Sequence, residues 1–323
     1  MQAANIEECT RNRFPLPVEL HIKILRYLDA ETIDAVQNVN DDFRTLVKHN
    51  RMHLARHDCR LEFKNMKVGI SGDKTKQKQF KLESEADQLL SLLKQLQTNC
   101  IKICGPITET ELDQLISVLN LSRQFRISSF ILQSVTIENT LLCSRLWETL
   151  VVGNCQAIKL EDCRLSCGFT ERQFKQLQDL CQFTVKNCKS GNGLGILGRY
   201  LSKLAFDMRF KPRRSVPFYA EAPNLKPGEL CEFIKTWIHI SEAPAFQIYV
   251  NNCDADFMHK FRCECEQNQL SQFDFEFKSK SHPWAYIKAS FDERIHRFQM
   301  HPVFDVPTSR DRSICRVRHF RDF

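Results

Sequence analysis

No run of apolar residues in this chain of 323 amino acids approaches the roughly 18 that a membrane-spanning helix requires. The first thirteen residues lack the apolar core of a secretory signal peptide, so we expect a cytoplasmic or nuclear protein with no membrane partner. None of the 15 cysteines forms a Cys-x-x-Cys pair, which disfavours a disulfide framework and a paired zinc site. We therefore expect reduced thiols and no metal.

The composition is that of an ordinary globular protein, with 42% hydrophobic and 26% charged residues. The length indicates about two domains, or one small module followed by a longer one. The net charge of +7 is modest and gives no strong nucleic-acid signal. Much of this charge comes from a lysine-rich segment at 64–81 and an arginine-rich end at 309–323, and no nucleic-acid partner is expected.

Residues 14–55 begin at a proline pair and divide into three short helical periods. Pro17 suits a first helical position, Asp29 suits the N-cap of the second helix, and Asn40 or Asp41 suits that of the third. The apolar positions recur at helical spacing: Leu20, Ile24, Leu25 and Leu28, then Ile33, Val36 and Val39, then Phe43, Leu46 and Val47. About 40 residues in such helices cannot bury enough apolar surface to be stable alone, so part of this stripe faces the rest of the chain or a partner.

This spacing resembles an F-box, the module that binds the Skp adaptor of SCF-type cullin–RING ubiquitin ligases. The match runs from Phe14 through the Leu16-Pro17-x-Glu19-Leu20 start to Phe43, where the family often has Trp. The adaptor-binding residues that the resemblance implies are Leu16, Pro17, Leu20, Ile24, Leu25, Leu28, Ile33, Val36, Val39 and Phe43. Periodicity does not decide which of them face the adaptor and which hold the helices together.

From about residue 82 onward, short strand-like runs alternate with helical runs. Three strand-like runs share an apolar-x-apolar-x-Asn/Asp-Cys pattern at 158–163, 183–188 and 248–253, with looser copies at 61–66 and 135–140. Capping signatures at Thr108-x-x-Glu111 and Thr170-x-x-Gln173 open two helices, and Pro227 opens a third. Each strand–helix unit leaves an apolar face that only a neighbouring unit can cover, which favours stacking.

These runs resemble the leucine-rich repeat of the cysteine-containing kind. The resemblance implies an α/β fold, a three-helix F-box followed by a strand–helix array of LRR-like repeats. The alternative is a less regular α/β domain of the kind that follows the F-box in divergent nematode F-box proteins. The expected domains are a disordered N-terminus at 1–13, the F-box at 14–60, a Lys-rich linker at 61–81, the repeats at 82–308 and an Arg-rich tail at 309–323.

Motifs for chemistry are weak. Residues 193–198 satisfy Gly-x-Gly-x-x-Gly, but no second half of a dinucleotide fold follows. Cys263 and Cys265 with Cys253 and His259 lack the paired spacing of structural zinc ligands, and no motif marks a cysteine nucleophile. We therefore expect no catalytic residue, no cofactor and no metal.

The expected function is the substrate receptor of an SCF-type E3 ubiquitin ligase in ubiquitin-dependent protein degradation, and not an enzyme. It would bind the Skp adaptor, and through it a cullin, with the N-terminal helices, and a target protein with the C-terminal repeats. The alternative is an LRR-like protein-interaction scaffold without a ligase role. A nucleotide-dependent enzyme that uses the glycine turn is a third hypothesis.

Overall fold

The computed structural model describes residues 16–64, 66–72, 75–121, 127–190, 218–223, 226–240, 245–251, 253–265 and 270–305. The chain is mixed α/β and divides into two compact units, residues 1–102 with 110–126 and residues 103–109 with 127–323. Within the described ranges, no helix has the length and apolar character that crossing a bilayer requires. The expected disordered N-terminus, glycine turn at 193–198 and Arg-rich tail lie outside the described residues.

The first unit contains three short helices, a small sheet and two longer helices. Its helices are α1 (Val18–Leu25), α2 (Ala30–Val36), α3 (Asp41–Asn50), a 3₁₀ turn (Arg51–His53), α4 (Leu82–Leu93) and α5 (Glu109–Leu121). Its strands are β1 (His57–Lys64), β2 (Lys67–Gly72), β3 (Thr75–Phe80) and β4 (Leu96–Cys104). They lie in the order β4-β1-β2-β3, and the β1–β2 and β2–β3 pairs are antiparallel.

The segment that was expected to be a Lys-rich linker, residues 61–81, instead lies largely in strands β1, β2 and β3. Leu61 and Phe63 on β1 and Val68 and Ile70 on β2 are almost fully buried, so alternate side chains of this hairpin belong to the core. Lys64 and Lys67 lie at the facing ends of β1 and β2, Lys78 lies within β3, and all three are exposed. The high lysine and glutamine content therefore hid the alternation of buried and exposed side chains that indicates a strand.

The second unit is built on a longer sheet with helices in its connections. Its strands are β5 (Ser129–Gln133), β6 (Thr136–Ile137), β7 (Ala157–Glu161), β8 (Arg164–Leu165), β9 (Gln182–Lys186), β10 (Lys189–Ser190), β11 (Phe218–Pro223), β12 (Phe246–Asn251), β13 (Asp274–Lys278), β14 (Ala285–Asp292) and β15 (Arg297–Phe304). Its helices are α6 (Thr140–Val152), α7 (Glu171–Gln176), α8 (Pro227–Trp237) and α9 (Ala255–Cys265).

The order of the larger sheet in this unit is β13-β14-β15-β12-β11-β9-β7-β5. Strands β5, β7, β9, β11 and β12 pair in parallel, whereas β12, β15, β14 and β13 pair antiparallel. The parallel part needs crossover connections, which α6 and α7 supply between β5, β7 and β9. Short connections join β13 to β14 and β14 to β15 in the antiparallel part.

A structural unit repeats along β5, β7 and β9. In each copy a strand ends at a residue with positive φ, and a short second strand, β6, β8 or β10, follows. The positive-φ residues are Ser134 (55°), Asp162 (53°) and Asn187 (50°). The short strands pair in parallel with one another in the order β10-β8-β6, so each copy lies in register on the next.

The two best copies of the predicted pattern are confirmed as neighbouring parallel strands. Ile158 pairs with Phe183 and Leu160 with Val185, and all four side chains are buried. At the following turn, Asn187 Nδ2 donates to Asp162 Oδ1 over 3.2 Å.

The two looser copies were placed wrongly. The partners of Ile158 and Leu160 on the neighbouring strand β5 are Phe130 and Leu132, not the predicted run at 135–140. In the other run, residues 61–64 form the end of β1, which pairs antiparallel with β2 and is not a copy of the parallel repeat. A serine at the turn and Val135 in place of the cysteine concealed the true copy.

The cysteines at these turns are structural. Cys163 Sγ donates to the Leu132 carbonyl oxygen over 3.3 Å, and the Cys163 amide donates to Cys188 Sγ over 3.4 Å. The hydrogen bond with Cys188, together with burial, raises the pKa of the Cys163 thiol, which therefore stays protonated. A protonated, buried thiol is a poor nucleophile and metal ligand.

Helix α7 begins with the capping box that the sequence predicts. The Gln173 amide donates to Thr170 Oγ1 over 3.2 Å, and the Thr170 amide donates to Gln173 Oε1 over 2.9 Å. We expect Thr170→Ala to lower the free energy of unfolding by about 1 kcal/mol, because an amide at the helix start loses its acceptor. Urea denaturation followed by tryptophan fluorescence measures this, with the exposed Thr136→Ala as control. Equal stability of the two variants would contradict the cap's contribution.

Candidate protein-docking surface on the N-terminal helices

The three N-terminal helices share a small apolar core. Its buried members are Leu25, Ile33, Leu46, Val47 and Leu54, with Ile22, Leu28, Val36, Phe43 and Ala55 packed against them and partly buried. Five of the ten residues implied by the F-box resemblance thus contribute to this core: Leu25, Leu28, Ile33, Val36 and Phe43. They hold the helices together.

Local hydrogen bonds fix where these helices begin. Asp29 Oδ1 accepts the Thr32 amide over 2.7 Å, and Asn40 Oδ1 accepts the Phe43 amide over 2.8 Å, as predicted for N-caps. Pro17 is the residue just before α1 rather than its first helical residue, and its carbonyl accepts the amides of Leu20 and His21.

A buried histidine links the first and third helices. His21 Nδ1 donates to the Pro17 carbonyl oxygen over 3.2 Å, which orients the ring. The ring meets Phe43 edge to face, with centroids 5.7 Å apart and planes at 72°. This contact fixes the start of α1, where the Leu16-Pro17 pair lies, against α3.

Asp34 of α2 connects the helices to the first strand. Its two carboxylate oxygens lie 3.0 Å from Arg51 Nη2 and 2.5 Å from His57 Nε2, and His57 opens β1. Gln37 Nε2 donates to the same carboxylate over 3.3 Å. This cluster ties the helices to the sheet of the first unit.

We expect Asp34→Ala to lower the free energy of unfolding by about 1 kcal/mol, since the partly exposed ion pairs are screened by solvent. Thermal denaturation at low and at high salt measures it, and the difference from the unaltered chain should shrink as salt rises. Asp58→Ala, at an exposed acid of the same unit, is the control. A difference that does not change with salt would show that the ion pairs are not its source.

The remaining five implied residues, Leu16, Pro17, Leu20, Ile24 and Val39, are exposed: Leu20 and Ile24 lie on α1, Leu16 and Pro17 precede it, and Val39 follows α2. Exposure of their side chains is substantial: 44% for Leu16, 42% for Leu20, 51% for Ile24 and 68% for Val39. Soluble domains rarely leave several large apolar side chains of one short segment in water without a binding role. The geometry thus separates a structural set of five from an exposed set of five.

Two further exposed apolar residues, Val18 at 45% and Tyr27 at 91%, are not among the ten that the F-box resemblance implies. Tyr27 lies seven residues after Leu20 and three after Ile24, which is helical spacing, and its amide donates to the Ile24 carbonyl oxygen over 3.0 Å. That spacing was a usable signal. Val18 does not fit this series, so periodicity alone does not identify it.

The cysteine and histidine set considered for zinc is not assembled. Cys263 is exposed with Sγ 3.9 Å from His259 Nε2, whereas Cys265 Sγ lies 3.4 Å from Cys231 Sγ inside the core. Cys253 Sγ donates to the Val250 carbonyl oxygen over 3.3 Å. In the part of the chain that the structure describes, no three His, Cys, Asp or Glu side chains lie together as a metal site would require.

No protein-family model matches the chain, and a search of curated proteins finds no relative. A functional assignment depends on the sequence pattern and on the geometry of the helices.

Proposed function

We propose that this protein is the substrate-recognition subunit of an SCF-type ubiquitin ligase and that its N-terminal helices bind a Skp adaptor. The observation that carries the proposal is the division of one short apolar segment into a core set and an exposed set. Helices that bury Leu25 and Ile33 while leaving Leu20 and Ile24 in water have a partner-independent interior and a free apolar surface. The sequence pattern that resembles an F-box names the kind of partner.

The exposed set has the chemistry of an interface centre. Exposed aliphatic side chains are present at Leu16, Leu20 and Ile24, and an exposed aromatic ring is present at Tyr27. Aromatic residues are enriched in the cores of interfaces. The neighbouring exposed residues of α1, Glu19 and Lys23, would form a polar rim. Such an arrangement favours docking onto an apolar groove of another protein.

The second unit would hold the target protein. Its repeated strand, turn, short strand and helix resemble a leucine-rich repeat in β5 to β10, and the open α/β remainder is less regular. Gln133, Glu161 and Lys186 lie side by side on the sheet face opposite the buried apolar rows, partly exposed. A polar, regularly spaced face of this kind suits recognition of a folded or extended protein surface.

Under this proposal the chain performs no chemistry of its own. Holding a target beside a ubiquitin-loaded enzyme raises the effective concentration of the target's lysines, which accelerates transfer without new catalytic groups. No side chain of this protein then needs an activated pKa.

The experiment is affinity purification of the full chain from eukaryotic cells, followed by mass spectrometry. We expect a Skp adaptor and a cullin in the complex, and their loss from the Leu16→Ala, Pro17→Ala double variant. Recovery of other proteins without adaptor or cullin would overturn the proposal and favour an interaction scaffold without a ligase role.

A further inference from the structure

A second candidate interaction surface lies on strands β1, β2 and β3, and it shares no residue with the exposed apolar set. Among the strands of the described residues, β3 is the last in the order β4-β1-β2-β3, and its partner is β2. Residues 78–80 of β3 pair in register with residues 68–70 of β2 and present backbone N–H and C=O groups along the edge, whereas the register shifts between Ile70 and Gly72, so a bulge interrupts the first part of β3. Because Val68 and Ile70 are fully buried, the core fixes the register of the regular part of this edge.

The edge is surrounded by positive charge. Lys64 lies directly opposite Lys67 across β1 and β2, and both side chains are exposed. Lys78 lies opposite Ile70 on the other face, and Lys81 follows the end of β3, so lysines flank the edge on both faces. No ion pair joins these four lysines to an acidic side chain within the described ranges.

Two nearby acids, Glu62 and Glu85, are already engaged. Glu62, on the outward face of β1, lies 3.3 Å from Lys102. Glu85, in the first turn of α4, accepts the Lys81 backbone amide over 2.7 Å and so serves the start of the helix. Like charges directly opposite one another on a sheet are destabilising, so the Lys64–Lys67 pair is retained at a small loss of stability.

Lysines on an edge strand repel a second copy of the same edge and so disfavour pairing of the edge with itself. The same charges attract a strand that carries carboxylates. Among described residues 57–81, no phenylalanine, tyrosine or tryptophan is exposed, so the stacking platform that single-stranded nucleic acids require is missing there.

We propose that the β3 edge accepts an extended acidic segment of another protein as an added strand. Backbone hydrogen bonds along the regular part of β3 supply the common part of the affinity, and the lysines nearest the edge, Lys67, Lys78 and Lys81, select for Glu or Asp side chains. The proposal does not depend on adaptor docking, because it concerns a different surface.

The test uses the full chain and a fluorescein-labelled peptide of alternating Glu and Val, eight residues long, in a fluorescence-anisotropy titration. We expect saturable binding that weakens as salt rises. Replacing alternate peptide N–H groups by N-methyl groups keeps every charge and removes edge hydrogen bonds, so affinity should fall about tenfold or more. Equal affinity of the N-methylated peptide would overturn strand addition.

The protein variants are Lys67→Glu with Lys78→Glu, and Lys67→Gln with Lys78→Gln. We expect the first to weaken peptide binding by about tenfold or more and the second by less. Lys189→Glu with Lys280→Glu makes the same change in net charge at exposed lysines of the second unit and should leave binding unchanged. Circular dichroism verifies folding, and the glutamine variant provides the readout if the charge reversal unfolds the chain.

Other occupants are distinguished in the same assay. Binding of a labelled single-stranded oligonucleotide or of vesicles with anionic lipids, without binding of the acidic peptide, would overturn the proposal. So would self-association of the chain in sedimentation that the Lys67→Glu, Lys78→Glu variant abolishes, since the edge would then pair with a second copy. Equal binding of the peptide to all variants would show that its binding site lies elsewhere on the chain and would overturn the proposal.

Discussion

The Leu20→Asp, Ile24→Asp double variant should lose at least about 100-fold in affinity for a Skp adaptor while its unfolding temperature stays nearly constant. Both side chains are exposed, at 42% and 51%, so aspartate replaces them without entering the helix core. In the complex, by contrast, each carboxylate would be removed from water without a partner. Central interface residues typically contribute about 2 kcal/mol or more each, which sets the expected loss.

Two comparisons separate docking from folding. Leu141→Asp with Val152→Asp places the same charges on α6 at side chains that are 72% and 70% exposed, and it should leave adaptor affinity unchanged. Leu25→Ala removes a core side chain that is only 3% exposed and should lower the free energy of unfolding by about 2–5 kcal/mol. Isothermal titration calorimetry with purified adaptor gives the affinities, and thermal denaturation gives the stabilities.

Full affinity in the Leu20→Asp, Ile24→Asp variant would contradict docking through this face, whatever the chain binds elsewhere. Equal loss of affinity in the α6 control would assign the effect to added negative charge. The exposed surface matters only if the first variant loses binding, the second does not, and both remain folded.

The N-terminal helices were predictable because their signals are local. Caps at Asp29 and Asn40 and the spacing of apolar residues require only neighbours along the chain. Whether Ile24 or Leu25 enters the core was not predictable, because a helix of eight residues with apolar side chains on adjacent positions has no unique inward face. Contacts from α2 and α3 decide it.

The parallel strands were predictable where the apolar pattern and the turn residue agree, as at Ile158 and Phe183. Strand β5 was not predicted because Ser134 replaces the Asn or Asp at the positive-φ turn position. In addition, no cysteine follows the apolar residues Phe130 and Leu132 as it does in the other copies. Strand β11 lies in a segment, residues 204–227, that is rich in prolines and basic residues, and such a composition does not indicate a strand. Pairing with β9 and β12 on both sides overrides that local composition.

The prediction of a linker at residues 61–81 was wrong for a different reason. Only one face of β1 and β2 is buried, and the other presents lysines to solvent, so average hydrophilicity indicated a linker. Period-two alternation at Leu61, Phe63, Val68 and Ile70 was the available signal, and it outweighs composition wherever one face of a sheet meets a core. The ubiquitin-ligase role itself remains a prediction.

The second large effect concerns the repeat core around Trp147. This side chain is fully buried, its ring centroid lies 4.4 Å from that of Phe169, and its Nε1 donates to the Cys167 carbonyl oxygen over 3.2 Å. Phe169 continues the contact to Phe174, 4.9 Å away between centroids, so α6 and α7 share one aromatic cluster. Trp147→Ala would leave a cavity at the centre of this cluster.

We expect Trp147→Ala to lower the free energy of unfolding of the second unit by about 3–5 kcal/mol, because large aromatic truncations lose both transfer energy and packing. Trp147→Phe retains a ring and should lose about 1–2 kcal/mol, since the Cys167 carbonyl still accepts the Cys143 thiol over 3.2 Å. Guanidinium denaturation reports it through the remaining tryptophans, Trp237 and Trp284, which belong to the same unit.

The exposed Leu141→Ala on α6 is the matched control, and it should change stability by no more than about 0.5 kcal/mol. A loss below about 1 kcal/mol for Trp147→Ala would contradict the packing of α6 against α7, because truncating a fully buried tryptophan lowers the free energy of unfolding by more than this. If the loss is large and adaptor binding by the intact N-terminal helices persists, the two units fold independently. Adaptor docking and target recognition would then be separable properties of one chain.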